Sequence, residues 1–206
     1  MTRISVVDYG SGNTGSLLAV FHSLGIVSRI CDPCASKRLL DSDLVVLPGV
    51  GSAGRAMSEI NNSGLRQMLD QCHQSGKPIV GICLGAQLFF SELEECTCNG
   101  LGWISGAVKS FPQFPFYNTG WCELDVERLK RVGLGRSIRK QATFYFNHKY
   151  LLPTASVYSK ATLSSEIKIP AILADKNLVA LQFHPEKSQS YGRILLRNVI
   201  EDYYGL

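Results

Sequence analysis

Apolar residues along this chain follow two rhythms. Short, nearly unbroken runs at 4–9 (ISVVDY), 27–31 (VSRIC), 43–47 (DLVVL) and 78–82 (PIVGI) read as buried strands. Between them, at 13–24, 51–60 and 62–75, amphipathic stretches read as helices. Short apolar strands separated by amphipathic helices predict a parallel sheet covered on both faces. One more helix is expected at 84–94. From about 103 to 183 the chain turns β-rich, through WISGAVKSF, GWCELDV, ATFYFNHKYLL and SVYSKAT. PAILA and LVALQF, joined at Asp175-Lys176-Asn177, read as a hairpin, and 190–204 as a last helix with Ile194, Leu195, Val199 and Ile200 at helical spacing. The expected fold is α/β, a mostly parallel central sheet flanked by helices with an antiparallel β extension, as a single domain over 1–206.

Composition narrows the function classes. The 206 residues are 45% apolar and 18% charged, which excludes a disordered chain. A net charge of +4 permits anionic ligands without calling for nucleic acid. Six of the thirteen residues from Arg128 to Lys140 are basic, and this run reads as a solvated face. No apolar run is long enough to span a bilayer, and the first nine residues read as a strand rather than a leader, so a cytoplasmic protein away from the membrane is expected. Seven cysteines are then expected as reduced thiols. Cys31-x-x-Cys34 and Cys96-x-Cys98 resemble zinc half-sites, but joining them requires two distant loops to meet, so no metal is expected. Gly10, Gly12 and Gly15 spell G-x-G-x-x-G after the first strand, with Asp32 where a dinucleotide fold keeps its ribose-binding acid. The chain leaves little room for a substrate domain beside a dinucleotide domain. His22 and His73 read as structural histidines.

Two stretches carry chemistry. In GKPIVGICLGAQLFFSELEE a strand ends on Gly81-x-Cys83-x-Gly85 and a helix follows, the cysteine counterpart of a nucleophile elbow. Glycines flank the nucleophile because a strained strand-to-helix turn leaves no room for side chains. Helix N–H dipoles favour a thiolate there, and the Leu84 N–H is placed to donate to an oxyanion. In LVALQFHPEKS, His184 and Glu186 are two apart in an extended run, so both side chains are expected on one side of a strand. A carboxylate so placed can orient an imidazole that takes a thiol proton and later returns it to a leaving amine. A third stretch, Pro48-Gly49-Val50-Gly51, follows a strand and offers unobstructed backbone N–H groups for a second oxyanion donor.

These stretches resemble the class I (triad) glutamine amidotransferases, a flavodoxin-like three-layer family, in the branch that serves histidine biosynthesis. The matching segments run the length of the chain: VDYGSGN (7–13), LPGVGSAGRAM (47–57), GICLGAQLFF (81–90), GLGWISG (100–106), YFNHKY (145–150) and FHPEKSQ (183–189). The resemblance implies a glutaminase in which Cys83 is the nucleophile, His184 the base and then the acid, and Glu186 its orienting group. It implies oxyanion donors at Val50, Gly51 and Leu84, and glutamine-binding positions at Gln87, Glu95, Lys149 and Tyr150. It further implies a heterodimer with a (β/α)8-barrel cyclase that receives the ammonia, with Asn13, Trp121, Tyr145 and Lys187 at the partner face. It implies no cofactor: the glycines near Gly10 become a structural turn, and Asp32 simply an acid after the second strand.

The chain departs from the family where Pro-His-Met-Gly-Trp-Asn is usual, reading Tyr117-Asn118-Thr119-Gly120-Trp121-Cys122. Ala86 replaces a usual methionine, and Lys149 a small hydroxyl residue. None of these belongs to the triad. The departures leave the ammonia acceptor open between the histidine-pathway intermediate and another substrate, such as a surface sugar to be amidinated. A cysteine hydrolase or a non-catalytic binding protein on the same fold is the reading from another class.

Overall fold

The computed structural model describes residues 2–111, 117–153, 159–163 and 169–206. The first half alternates as the apolar pattern predicts: β1 (Arg3–Val7), α1 (Thr14–Ser23), β2 (Val27–Cys31), β3 (Leu44–Leu47), α2 (Ala53–Asn62), α3 (Leu65–Gln74) and β4 (Ile79–Ile82). There the predicted pattern breaks. The helix expected at 84–94 is a single turn, α4 (Leu84–Gln87), followed by β5 (Phe90–Leu93). The second half continues with β6 (Cys98–Asn99), β7 (Ile104–Ser110), β8 (Asn118–Glu123), α5 (Val126–Arg131), β9 (Thr143–His148), β10 (Tyr150–Leu151), β11 (Ser159–Thr162), β12 (Pro170–Asp175), β13 (Leu178–Leu181) and α6 (Gln189–Asn198). Of the expected strand SVYSKAT, the first three residues lie outside the described ones.

Among the described residues a seven-stranded sheet runs in the order β11-β12-β13-β4-β3-β1-β2. Its pairs from β13 to β2 are parallel, and β11 and β12 extend it antiparallel. Every residue of β3, β4 and β13 is buried, which is why these strands read as unbroken apolar runs. Alternate residues serve opposite faces: Ile4, Val6 and Val46 pack with Phe21 of α1 and Leu195 of α6, while Val7, Val45 and Leu47 pack with Ile60 of α2 and Leu69 of α3. The expected three-layer α/β class is the observed one.

The break after α4 has a tertiary cause. Phe89 and Phe90 are both fully buried, and β5 is claimed by a separate four-stranded sheet in the order β10-β7-β5-β6. Ser91 Oγ donates to the Gly106 carbonyl at 3.0 Å and accepts from the Gly106 N–H at 3.1 Å, fastening β5 to β7. Pairing therefore overrides the local helical pattern. β8 and β9 form a third, two-stranded sheet.

The remaining motifs resolve into local structure. Gly10 has φ +79° and its N–H donates to Asp8 Oδ1, while Asp32 Oδ1 accepts from the Ala35 N–H and caps the 3₁₀ turn Pro33–Leu39; both are turns. Cys31 is buried against Ser5, and Cys34 is exposed on that turn. The expectation of reduced thiols is corrected at one pair, since Cys96 and Cys98 are joined by a disulfide. The six basic residues of the run are all exposed, and ion pairs join Lys130 with Glu127 and Arg136 with Glu201 and Asp202. Among the described residues no helix is long and apolar enough to cross a membrane.

Candidate active site

The site forms where two adjacent parallel strands end. β4 pairs with β13 in register, Ile82 opposite Leu181, and the Cys83 N–H donates to the Leu181 carbonyl at 2.7 Å. Cys83 then takes φ +52°, ψ −109°, a backbone state that an L-residue holds only where its surroundings enforce it. Those surroundings are close. A Cβ on Gly85 would collide with the Leu47 carbonyl, and one on Gly81 would fall 2.6 Å from Ala86 Cα. With α4 only four residues long, the backbone at the sulfur offers a few N–H groups rather than the long aligned dipole expected.

On the neighbouring strand the chain leaves Leu181, and the buried Phe183 ring packs on Phe144 and Phe146, with centroids 4.9 and 5.4 Å away. The His184 N–H donates to the Tyr145 carbonyl at 2.9 Å. The strand does not continue to Glu186, as the spacing had suggested. Pro185–Lys187 is a 3₁₀ turn, and it is this turn that brings the carboxylate back to the ring. His184 Nδ1 and Glu186 Oε1 lie 2.9 Å apart, with both side chains 2% exposed. Burial alone would lower the imidazole pKa. The approach of Cys83 and the hydrogen bond to Glu186 outweigh it, raising the pKa to about 9. The Cys83 thiol itself is turned to the Asn147 carbonyl at 3.8 Å, leaving His184 Nε2 without a well-formed hydrogen bond. A buried thiol beside an imidazole held by a carboxylate can carry out nucleophilic acyl transfer.

A cavity of about 220 Å³ opens over the sulfur. Cys83, Val50, Gly51, Leu84, Gln87, Glu95, Lys149 and Tyr150 all line it, so the structure gathers these positions from four separate stretches of chain. His184 and Glu186 stand behind the cysteine rather than on the cavity wall. Glu95 Oε2 accepts from the Ala53 N–H at the start of α2, 3.0 Å away. Gln87 is buried, and its Nε2 donates to the Tyr150 carbonyl at 3.2 Å and to Gln182 Oε1 at 3.4 Å. Two of the expected oxyanion donors are already engaged: the Leu84 N–H with the Gly49 carbonyl and the Val50 N–H with the Ser11 carbonyl, each at 3.4 Å. Gly49 is pinned by the Tyr9 hydroxyl, which donates to the Pro48 carbonyl at 2.6 Å and leaves no room for a Cβ.

Three of the four expected partner-face residues form one cluster. Trp121 is 47% exposed and directly opposite Tyr145, their rings edge-to-face at 5.8 Å. Lys187 Nζ lies 5.7 Å from the Tyr145 centroid. Asn13 precedes α1, which packs against the turn carrying Lys187.

Sequence reading missed Tyr117, Asn147 and His148, which also line the cavity. His148 is 6% exposed; its Nδ1 donates to the Tyr150 carbonyl at 2.8 Å, and Asn118 Nδ2 donates to its Nε2 at 3.0 Å. Burial pushes its pKa down to about 4, against that backbone hydrogen bond and helped by the nearby His184. YFNHKY was singled out as a segment, but only the strand register sets His148 opposite Asn118.

Comparison with known proteins assigns the class. The family described as glutamine amidotransferase class-I matches residues 5–201, and the chain belongs to it. It is a glutaminase-type enzyme subunit. Its relatives include the imidazole glycerol phosphate synthase subunit HisH of Bdellovibrio bacteriovorus, 34% identical with 96% of this chain and 99% of that protein covered. Another is the imidazole glycerol phosphate synthase subunit HisH 1 of Campylobacter jejuni, 37% identical over 96% and 98%. Among solved structures, PurLQS from Thermotoga maritima superposes with a TM-score of 0.77 at 18% identity over 98% and 99% of the two chains, a likeness of fold.

Proposed function

We propose that this chain is the glutaminase subunit of an imidazole glycerol phosphate synthase, working in the cytoplasm as a single amidotransferase domain. Its partner in this reading is a (β/α)8-barrel cyclase of histidine biosynthesis. The observation that carries the chemistry is the sulfur of Cys83 on a strained elbow beside an imidazole that a buried carboxylate holds. The relatives' name and their near-complete coverage support the acceptor.

In this reading the Cys83 sulfur attacks the side-chain carbonyl carbon of glutamine as His184 takes the thiol proton. The tetrahedral adduct collapses when His184 returns that proton to the amide nitrogen; ammonia leaves and a γ-glutamyl thioester remains. Water, deprotonated by His184, then attacks the thioester carbon, releasing glutamate and restoring the thiol. Glu186 keeps the ring in place and, through its hydrogen bond and charge, favours the protonated form of the imidazole. Gln87 and Glu95 take the α-amino and carboxylate end of glutamine, with Lys149 and Tyr150 contacting it through the main chain.

The oxyanion is to be met by the N–H groups of Val50, Gly51 and Leu84. Two of these donate to protein carbonyls here, so the Pro48–Gly51 turn has to exchange partners before they can serve an oxyanion. Low activity of the isolated subunit and stimulation by a docked barrel follow. Trp121, Tyr145 and Lys187 supply an exposed aromatic and cationic patch for that docking, with Asn13 beside it.

The testing experiment is labelling with a glutamine-mimicking electrophile followed by peptide mapping. Modification at Cys83, blocked by excess glutamine, is expected. Modification mainly at Cys31 or Cys34 overturns the assignment. A second acceptor is favoured by one observation: the departure from the family motif falls on Tyr117–Cys122, the segment bearing exposed Trp121. Histidine-independent growth of an auxotroph expressing this chain with its neighbouring barrel gene separates the two acceptors.

A further inference from the structure

A line of buried hydrogen bonds crosses from β8 to the cavity wall, and nothing in the chemistry above uses its first half. It starts at Cys122, whose thiol donates to Asn118 Oδ1 at 3.5 Å. That contact fixes which end of the Asn118 amide points where. Its Nδ2 faces His148 Nε2 at 3.0 Å. An amide nitrogen can only donate, so Nε2 accepts and the imidazole proton sits on Nδ1. Nδ1 in turn donates to the Tyr150 carbonyl at 2.8 Å. The same carbonyl accepts from Gln87 Nε2 at 3.2 Å, and the second Nε2 proton goes to Gln182 Oε1 at 3.4 Å.

The directions of these bonds have a chemical result. Both protons of the Gln87 amide are committed to protein acceptors. What Gln87 has left for a ligand in the cavity is its carbonyl oxygen, an acceptor. Asn118, His148, Gln87 and Gln182 are each at most 8% exposed, so water does not readily substitute for a missing partner. Asn118 and His148 lie directly opposite each other in the β8–β9 register, which sets their separation by strand pairing rather than by loops.

We propose that Asn118 and His148 are positioning residues for substrate recognition: through the Tyr150 carbonyl they hold Gln87 so that its carbonyl oxygen receives the α-ammonium group of glutamine. This rests on the glutaminase reading above, since it takes glutamine as the ligand. Neither residue touches the reacting atoms, and both act on affinity rather than on the chemical step.

His148 can be divided into its two halves by substitution. His148→Asn places an amide N–H near the position of Nδ1 and keeps the donor to Tyr150. His148→Gln places its amide near Nε2, keeps the link to Asn118, and gives up the bond to Tyr150. Calorimetric titration with L-glutamine is expected to leave the Asn variant within about twofold of wild type and to weaken the Gln variant about tenfold. Asn118→Ala, at the far end of the line, is expected to weaken binding about threefold. Thermal midpoints measured alongside report folding separately. The ¹⁵N spectrum of the imidazole in the ligand-free protein is expected to show Nδ1 protonated and Nε2 bare, with the Nε2 shift moving in Asn118→Ala.

Equal glutamine affinity of the Asn and Gln variants overturns the relay, as does a proton on Nε2. A wild-type chain that binds no glutamine overturns the glutaminase reading instead, and with it the ligand assigned to Gln87. The spectrum needs no ligand, so the two failures are told apart.

Discussion

The parallel sheet and the smaller sheets beside it contribute different things to one site. From the parallel sheet come the sulfur and the imidazole, carried on ends of strands whose every residue is buried. From the smaller sheets and their connections come Glu95, Asn147, His148, Lys149 and Tyr150, around the cavity. The first group needs its mutual distances held, because acyl transfer depends on reach between sulfur, ring and carboxylate. The second needs shape and hydrogen-bond direction, which short sheets and turns can vary without disturbing the core. In the proposed reading the reacting groups sit at the ends of parallel strands, while the residues that recognise glutamine are shared between α4, which carries Gln87, and the extension.

Removing the nucleophile should break the first half of this division while sparing the second. Cys83→Ala is expected to lower glutamine hydrolysis by at least about 10⁴-fold, while ammonia-dependent turnover by the barrel partner persists. Glutaminase assays with and without added ammonium salt check it; loss of both activities contradicts the division.

The two imidazoles, one from each region, sharpen it further. His184 has its pKa raised to about 9, above the unfolded value of 6.5, so its contribution to stability is full below pH 6.5 and is lost as pH rises toward 9. His148 has its pKa lowered to about 4, so the unfolded chain binds more protons between pH 4 and 6.5 and stability falls as pH drops through that window. Thermal midpoints are expected to peak near pH 6.5 and to decline by several degrees on either side. Cys83→Ala should flatten only the alkaline flank, and His148→Asn only the acidic one. Thermal scans from pH 4 to 9 read both.

The smallest effect is expected in the extension. Glu95→Gln keeps an oxygen for the Ala53 N–H but removes the charge facing the cavity. It should raise KM for glutamine about tenfold with kcat changed less than threefold. A fall in kcat with KM unchanged would place Glu95 with the chemistry instead. Steady-state kinetics on the assembled complex distinguish the two.

How much of this was legible beforehand follows the same line. β3 and β4 could be read because a strand buried on both faces is apolar throughout, whereas β2 is an edge strand buried only at Cys31. The elbow could be read because Gly81 and Gly85 have no room for a Cβ. The 84–94 segment misled because its spacing suits a helix, while the claim of β7 on Phe90–Leu93 comes from residues fourteen or fifteen further along. His184 and Glu186 were rightly paired, for a reason that was wrong in detail: a 3₁₀ turn joins them, and a strand would have carried the carboxylate onward. His148 left no local trace, because its meaning lies in facing Asn118 thirty residues away.

Ile82 and Leu181 stand side by side, so the segments bearing Cys83 and His184 leave the sheet at one level, a single strand repeat of about 4.8 Å apart. Of the hundred or so residues threaded between them, the elbow turn at Gly85 and the Phe144–Phe146 stretch help to seat the two ends. In the proposed reading, rebuilding the other intervening segments changes what the enzyme selects and whom it docks with, while the reactive pair keeps its spacing. A descendant of this chain could acquire a new nitrogen acceptor by remodelling its outskirts and never retune its chemistry.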